Sequence, residues 1–276
     1  MRSSGQFPCE NGTPTSLERV ITELRGPEPG STVSVAFLTV QAAQHSGRRS
    51  GYANTVLSVR VGSAVGSCAA EPGELGDEVV REIAGGDVAE LLEHPSRAVR
   101  VAVLDACLAD AVPHAQHPRS REVRIPAGTS LEKSMARARA VAELVQVPAG
   151  ARVAVIGVVN SLLAALRERG IDCVPCDLKG GRTEFGDEVL TDHQVAIDGA
   201  DAVLASGMVL GNGTLDDIVG RCRRRQLPLV VFAQTGSAVF REMLGREITA
   251  LSAEPYPFFW LSGDGTGIHL YGGGHP

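Results

Sequence analysis

Glycines and short polar residues follow three apolar runs in the second half of the sequence. Gly157 and Asn160 follow the first run, Gly207 and the Asn212-Gly213-Thr214 turn follow the second, and Thr235-Gly236-Ser237 follows the third. In an open α/β sheet such turns lie at the carboxyl edge of the strands, where the free N–H groups and the positive end of the next helix attract polar or anionic groups. We therefore predict a polar cleft at this edge that binds a small polar or anionic ligand. Helix capping is the alternative role for Thr214 and Ser237.

Two charged residues come directly after the predicted strand at 172–176, at the same edge of the sheet. Asp177 lies twenty residues after Gly157, the separation at which an acidic residue holds a ribose in dinucleotide-binding folds. Lys179 offers a positive charge to a phosphate or a carboxylate. We predict these two as the catalytic candidates for acid, base or charge work, with solvated loop residues as the alternative.

The turn after residue 156 departs from the dinucleotide-binding fingerprint. That fingerprint uses three glycines for a tight turn, for close approach to the pyrophosphate and for helix packing. Only Gly157 is present, and the bulkier Val158 and Val159 follow it. Classical NAD binding is therefore not expected, whereas the cofactor stays open between an adenosine-containing ligand and a divalent metal.

Cysteine and histidine pairs provide only fragments of a metal site. Cys173 and Cys176 have a spacing found in zinc sites, but no second cysteine pair follows, and on a strand the two side chains would point to opposite faces. His114 and His117 lie in a proline-rich segment. The metal ligands therefore stay unassigned, and no Ser-His-Asp, HExxH or P-loop pattern is present.

Composition excludes several classes of function. The net charge of −6 opposes a nucleic-acid surface, and the basic run at 223–225 falls in the last turn of a predicted helix, where cations complement the helix dipole. No segment approaches the roughly 18 continuous apolar residues that span a membrane. The first residues lack the apolar core of a signal peptide, and six cysteines in 276 residues do not resemble a disulfide framework. We expect a cytoplasmic protein with a small-molecule partner, and we leave a homodimer open.

The hydrophobic pattern predicts an α/β protein with two domains. Residues 1–14 are expected to be a flexible arm, 15–125 a smaller α+β domain, and 126–276 a Rossmann-like parallel-sheet domain led by a bridging helix at 130–144. Strands are expected at 33–40 and 55–61 in the first domain. In the second, strands at 153–156, 172–176, 202–205, 229–232 and 247–251 alternate with helices.

The sequence resembles a bacterial and archaeal family of unknown function that is described by the words "putative heavy-metal chelation". The resemblance rests on Val153-Ala-Val-Ile-Gly157, Gly199-Ala-Asp-Ala-Val-Leu-Ala-Ser-Gly207, Leu210-Gly-Asn-Gly-Thr-Leu215 and Thr235-Gly-Ser237, and on Val33–Val40, Gly51-Tyr-Ala-Asn-Thr55 and the 97–111 helix in the first half. It spans roughly residues 15 to 272, and the chain departs from the family in the tail at 254–260 and 263–269.

The resemblance implies a domain similar to the enolase N-terminal domain, followed by a Rossmann-like domain, with a site between them. It adds the 51–55 turn to the predicted cleft. The predicted ligand-binding residues are Asn54, Thr55, Gly157, Asn160, Gly207, Asn212, Gly213, Thr214, Thr235 and Ser237. The preferred function is an enzyme acting on a small polar or anionic metabolite. The alternative is non-catalytic binding or chelation of a heavy metal or metal complex, with His45 and His269 as the residues to test.

Overall fold

A computed structural model describes residues 15–23, 30–44, 52–257 and 262–272 of the chain. The arm predicted for residues 1–14 and the residue His45 lie outside the described residues. The helices are α1 (Ser16–Glu23), α2 (Glu78–Ile83), α3 (Val88–Leu92), α4 (Arg97–Ala111), α5 (Ser130–Ala142), α6 (Asn160–Glu168), α7 (His193–Asp198), α8 (Met208–Gly211), α9 (Leu215–Arg225) and α10 (Ser237–Arg241). The strands are β1 (Val33–Ala43), β2 (Tyr52–Val61), β3 (Ala64–Ala70), β4 (Arg121–Ile125), β5 (Arg152–Ile156), β6 (Asp172–Cys176), β7 (Ala202–Ser206), β8 (Leu229–Ala233), β9 (Ala250–Ala253) and β10 (Thr266–Tyr271).

Strands between residues 121 and 271 form a seven-stranded sheet in the order β4-β10-β9-β8-β7-β5-β6. The five strands from β9 to β6 are parallel, and their chain order is that of a doubly wound fold. The order reverses between β5 and β7, and such a reversal opens a crevice at the carboxyl ends of the strands. The predicted parallel-sheet domain is therefore present, and its switch point lies between Gly157 and Gly207.

The first half forms a separate antiparallel sheet in the order β1-β2-β3, packed against α4. Residues 52–55, which were predicted as a turn, lie in β2, where Asn54 pairs with Gln41 of β1. β3 was not predicted, because its residues are small rather than β-branched. The small side chains suit a strand against which two helices, α4 and α8, pack.

Two strands at the antiparallel edge of the large sheet were not predicted. β4 lies at the end of the predicted first domain, and β10 occupies the glycine-rich tail. β10 pairs antiparallel with both β4 and β9. The buried Lys133 of α5 holds the loop before β10, because its ammonium donates to the carbonyl of Asp264 at 2.6 Å and to the hydroxyl of Thr266 at 3.0 Å.

Neither Thr214 nor Ser237 caps its helix through its side chain. At the start of α1, Thr15 accepts the first-turn N–H of Glu18. Thr214 occupies the N-cap position of α9 without a side-chain capping bond. Ser237 is the first residue of α10, and its cap position is occupied by Gly236. The described residues contain no helix that is long and apolar enough to cross a membrane.

The apolar core is continuous between the two sheets. One buried cluster joins Leu57 of β2 and Val101 of α4 to Ile156 of β5 and Phe240 of α10. A second cluster fills the other face of the large sheet beneath α5 and α6. The small sheet also contacts the turns that follow β6, β7 and β8. It therefore covers the carboxyl edge of the parallel strands.

A buried carboxylate fixes this arrangement. Asp105 of α4 accepts a hydrogen bond from the N–H of Ser67 in β3 at 2.9 Å and from the N–H of Ala238 in α10 at 2.7 Å. Next to it, the N–H of Gly236 donates to the carbonyl of Ser67 at 2.8 Å. Burial raises the pKa of Asp105 to about 6, although these hydrogen bonds oppose the rise.

Glycine is required where the turn after β5 meets the end of β7. Gly157 has a φ of +85°, and a Cβ there would lie 2.5 Å from Oγ and 2.7 Å from Cβ of Ser206. Gly211 is equally constrained, since its Cβ would lie 2.4 Å from the carbonyl oxygen of Ala69 in β3. These two glycines permit the close approach of the strands and of the small sheet.

We expect the substitution Asp105→Asn to remove a pH dependence of stability. The folded-state pKa of about 6 lies above the ordinary value of about 3.9, so the folded protein retains a proton that the unfolded chain has lost between these values. The stability contributed by Asp105 is therefore complete below about pH 4 and falls as the pH rises through about 6, by up to roughly 3 kcal/mol.

Asparagine offers one carbonyl oxygen to the two backbone donors, so the variant should be less stable at pH 4 by about 1–3 kcal/mol. Urea unfolding of the wild type and the variant from pH 4 to 8 should show that the difference between their free energies of unfolding narrows as the pH rises. Two curves that run parallel over this range would contradict the assignment.

We expect Gly157→Ala to be more destabilising than Gly150→Ala. Both glycines have nearly the same positive φ, +85° and +83°, but a Cβ at Gly150 meets nothing within 4 Å. Backbone strain of about 1–2 kcal/mol is common to both variants, whereas the contact with Ser206 adds about 1–3 kcal/mol to Gly157→Ala alone. Urea unfolding measures both, and Ser206→Gly in the Gly157→Ala background should recover the extra loss. Equal losses in the two single variants would refute the close contact.

Candidate functional site

A cavity of about 420 Å³ lies at the carboxyl ends of the parallel strands, between the two sheets. Its volume is within the range of small-molecule sites. Residues of β1, β2 and β3 form one side, and the turns after β5, β6, β7 and β8 form the other. Tyr256 of the tail lines the cavity and donates a hydrogen bond to the side-chain oxygen of Gln41 in β1 at 3.3 Å. We call this cavity the large pocket.

The large pocket brings together nine of the twelve residues proposed from the sequence. The switch point supplies the glycines of this group, and the small sheet supplies its only member from the first half of the chain. The nine lining residues are Asn54, Gly157, Asn160, Asp177, Lys179, Gly207, Asn212, Thr214 and Thr235.

Three proposed residues do not line the large pocket. Thr55 lies between Asn54 and Val56 in β2, and both of these neighbours face the pocket, so the alternation of the strand turns Thr55 away. Gly213 is exposed on the outer side of its turn. Ser237 lines a second cavity of about 290 Å³, together with His114 and Asp105.

The two charged candidates make contacts with backbone groups. The carboxylate of Asp177 accepts from the N–H of Val158 at 3.2 Å and from the N–H of Lys179 at 3.0 Å. The ammonium of Lys179 is 3.4 Å from the carbonyl oxygen of Ala53 in β2. Asp177 is thereby fixed against the turn after β5, and Lys179 reaches across the pocket mouth to the small sheet.

The turn after β5 differs from a dinucleotide-binding turn in its hydrogen bonding. In such a turn the backbone N–H groups face the pyrophosphate. Here the N–H of Val158 donates to Asp177 instead, and Val158 and Val159 themselves line the pocket. This arrangement removes one donor from any phosphate above the turn.

Asn212 and Thr214 form a hydrogen-bonded turn at the start of α9. The side-chain oxygen of Asn212 accepts from the N–H of Thr214 at 3.2 Å and from its hydroxyl at 2.8 Å. This contact stabilises the helix start, so Asn212 has a structural task in addition to its place on the pocket wall.

Sequence reasoning missed thirteen polar residues of the large pocket. Ser206 directly precedes Gly207, so its position after the strand was a usable signal. Arg137 belongs to α5, and nothing in the helical pattern distinguishes it from a surface arginine. The thirteen residues are Gln41, Glu71, Ser134, Arg137, Ser161, Arg182, Thr183, Glu184, Thr191, His193, Ser206, Gln234 and Tyr256.

Histidines surround the smaller cavity without forming a metal centre. His114 is 2.6 Å from the hydroxyl of Tyr271 through Nδ1 and 3.1 Å from the hydroxyl of Ser237 through Nε2. The ring of His269 stacks on His114 with centroids 5.9 Å apart. Burial, and then the nearby Arg241, lower the pKa of His114 to about 3, so its ring is neutral at ordinary pH.

The described side chains do not fit a chelated metal ion. Structural and catalytic metal sites use three or four converging donors. No group of three or more His, Cys, Asp or Glu residues with that arrangement is present in the described ranges. Cys173 and Cys176 point into different apolar clusters on opposite faces of β6, as the strand alternation predicts.

Comparison with known proteins relates both the sequence and the fold to one family. The family model DUF364, described as "Putative heavy-metal chelation", matches residues 140–232. None of the curated proteins matches the sequence.

Two solved structures share the fold. One is a protein of unknown function from the DUF364 family of Desulfitobacterium hafniense, with a TM-score of 0.61, 13% identity, and coverage of 93% of this chain and 98% of that chain. The other is a protein of unknown function from the same family of Pyrococcus horikoshii, with a TM-score of 0.50, 16% identity, and coverage of 86% and 85%. The family resemblance inferred from the sequence is thereby confirmed: residues 140–232 match DUF364, and the chain has the fold of two structures from that family.

Proposed function

We propose that the chain binds a small polar or anionic metabolite in the large pocket. The observation that carries the proposal is the convergence of polar side chains from both sheets on one cavity of about 420 Å³ at the switch point. Open α/β sheets bind their ligands at this place. The nine lining residues named above, with Arg137 and Ser206, are the proposed contacts.

Two unpaired hydroxyls on the pocket wall give this proposal its sharpest support. Ser206 and Thr235 retain 8% and 7% of their exposure and line the pocket. Neither hydroxyl has a hydrogen-bond partner within the ranges that the structure describes, and neither oxygen is among the buried atoms that lack a partner, so both are open to the cavity. These two hydroxyls are therefore suited to pair with a ligand or with the water that a ligand displaces.

The proposal extends to catalysis through Asp177 and Lys179. A carboxylate and an ammonium at one pocket mouth can transfer a proton or hold a charge on a bound metabolite. Because Asp177 also holds the turn after β5, its replacement should disturb the pocket as well as the chemistry. Lys179, which is exposed, is the better residue for testing turnover.

Direct chelation of a heavy metal is the weaker proposal for the described part of the chain. The family description names it, but the donor groups of the described residues do not converge as a metal ion requires. A metal held within a small organic chelate would occupy the pocket as part of the metabolite. A bound metal is therefore one of the outcomes that a measurement of the bound mass must distinguish.

Thr235→Val should weaken ligand capture without loss of stability. Valine has nearly the same shape, and the hydroxyl that it removes has no partner in the described residues. A ligand group that pairs with Thr235 would lose its partner, which weakens binding about tenfold or more. The measurement is native mass spectrometry of the untagged protein after exposure to a bacterial metabolite extract, together with the melting temperature.

Thr22→Val is the matched control, since Thr22 lies on α1 outside the pocket. The wild type and this control should carry the same adduct of small-organic-molecule mass, and Thr235→Val should carry less of it. Asn212→Ala is a poorer probe, because the loss of its turn contact with Thr214 would lower stability by itself. A metal-ion mass at full occupancy would favour chelation, and the absence of any adduct in the wild type would overturn the proposal.

A further inference from the structure

Arg137 is a buried cation on the wall of the large pocket. It lies on α5 and retains 4% of its exposure, yet it lines the cavity. Arginine is rarely buried to this extent unless its charge is paired. Its contacts therefore indicate which part of the guanidinium serves the fold and which part does not.

One edge of the guanidinium is fixed by the fold. Nε donates to both carboxylate oxygens of Glu254, at 3.0 and 2.9 Å, and Ser252 donates its hydroxyl to the same carboxylate at 2.9 Å. The guanidinium carbon lies 5.0 Å from the centre of the Phe232 ring. The ion pair and the aromatic ring together hold the group in one orientation.

The other edge has no partner within the described residues. The two terminal nitrogens carry four N–H groups, and no hydrogen bond from either is formed to residues 15–23, 30–44, 52–257 or 262–272. An ion pair that serves only the fold gains most from a two-pronged contact through two nitrogens. Here Glu254 accepts hydrogen bonds from Nε alone. The edge that the two terminal nitrogens form is therefore available on the pocket wall.

We propose that Arg137 anchors an oxyanion, a carboxylate or a phosphate, of the metabolite that the large pocket binds. The inference rests on the proposed function and names the chemical class of its ligand. A planar fork of N–H groups matches two oxygens of either anion. The unpaired hydroxyls of Ser206 and Thr235 line the same cavity and offer further hydrogen bonds to the anion or to its neighbouring atoms.

The start of α6 supports an anion in the same cavity. The helix has nine residues and begins at Asn160, which lines the pocket together with Ser161. The positive end of its dipole favours negative charge, although by itself it would not define a site. The fork of Arg137 provides the directed donors that the dipole lacks.

The test uses variants that leave neither member of the ion pair as an unpaired buried charge. Arg137→Lys keeps the charge beside Glu254 and removes the fork. Arg137→Met with Glu254→Gln removes both charges, so that no buried carboxylate is left alone. Arg139→Lys is the matched control, since Arg139 lies two residues further on the same helix in an exposed pair with Glu168.

Inorganic phosphate and malonate are titrated into each full-length protein by calorimetry, and the metabolite released from the wild type is analysed for acidic groups by negative-ion mass spectrometry. The wild type and Arg139→Lys should bind one of the two anions with one-to-one stoichiometry, which separates a phosphate from a carboxylate site. Arg137→Lys should bind it at least tenfold more weakly, and the double variant should not bind it. Melting temperatures establish that each variant is folded.

The two proposals fail in different ways. A released metabolite that lacks any acidic oxyanion group, or an adduct and anion affinity that Arg137→Lys leaves unchanged, overturns the role of Arg137 and leaves the pocket as a metabolite site. Anion binding that depends on Arg137, in a protein that captures no metabolite, supports the anion site and overturns the proposed function.

Discussion

The position of the small sheet depends on a carboxylate that is expensive to bury. Asp105 of α4 accepts backbone N–H groups from β3 and from the start of α10, so one side chain is bonded to both halves of the molecule. Its raised pKa reflects the cost of removing a charge from water. That cost is tolerated only when both donors are in place, which makes the contact a determinant of docking geometry more than of net stability.

The large pocket follows from this docking. Gly236 donates to Ser67, the backbone of α8 approaches Ala69 at Gly211, and Lys179 reaches Ala53. Each contact joins the small sheet to a turn at the carboxyl end of a parallel strand. The switch point alone would be an open crevice, and the small sheet converts it into a cavity with two polar walls.

The sequence predicts the strands whose residues form an apolar or β-branched run, and it fails for short, partly polar strands and for a strand of small residues. The apolar runs of β5, β7 and β8 stand out because each strand contributes to both cores. β4 and β10 are short and partly polar, and their pairing joins them to the sheet, since β10 pairs with both β4 and β9. β3 is built of small residues because α4 and α8 pack on it, a constraint that a single sequence does not reveal.

The residues of the candidate site also fall into those that the sequence predicts and those that it does not. The glycines and hydroxyls after β5, β7 and β8 follow from topology, because parallel strands end at one edge. Ser237 follows the same rule, yet it faces the smaller cavity, because the carboxylate of Asp105 occupies the first-turn donors of α10. Arg137 reaches the pocket from the middle of a helix, and only the burial of its side chain distinguishes it from a solvated arginine.

The ion pair between Arg137 and Glu254 also determines how an anion would be recognised. Glu254 lines the smaller cavity and Arg137 the larger, so the pair crosses the wall between them with its charges nearly balanced. A third, negative group therefore meets little net positive charge in this wall. Its binding energy must come from directed hydrogen bonds to the free edge of the guanidinium, which favours carboxylates and phosphates over a spherical ion such as chloride. In the proposed site the buried carboxylate would add selectivity, because it removes the unspecific attraction that an unpaired arginine would exert on any anion.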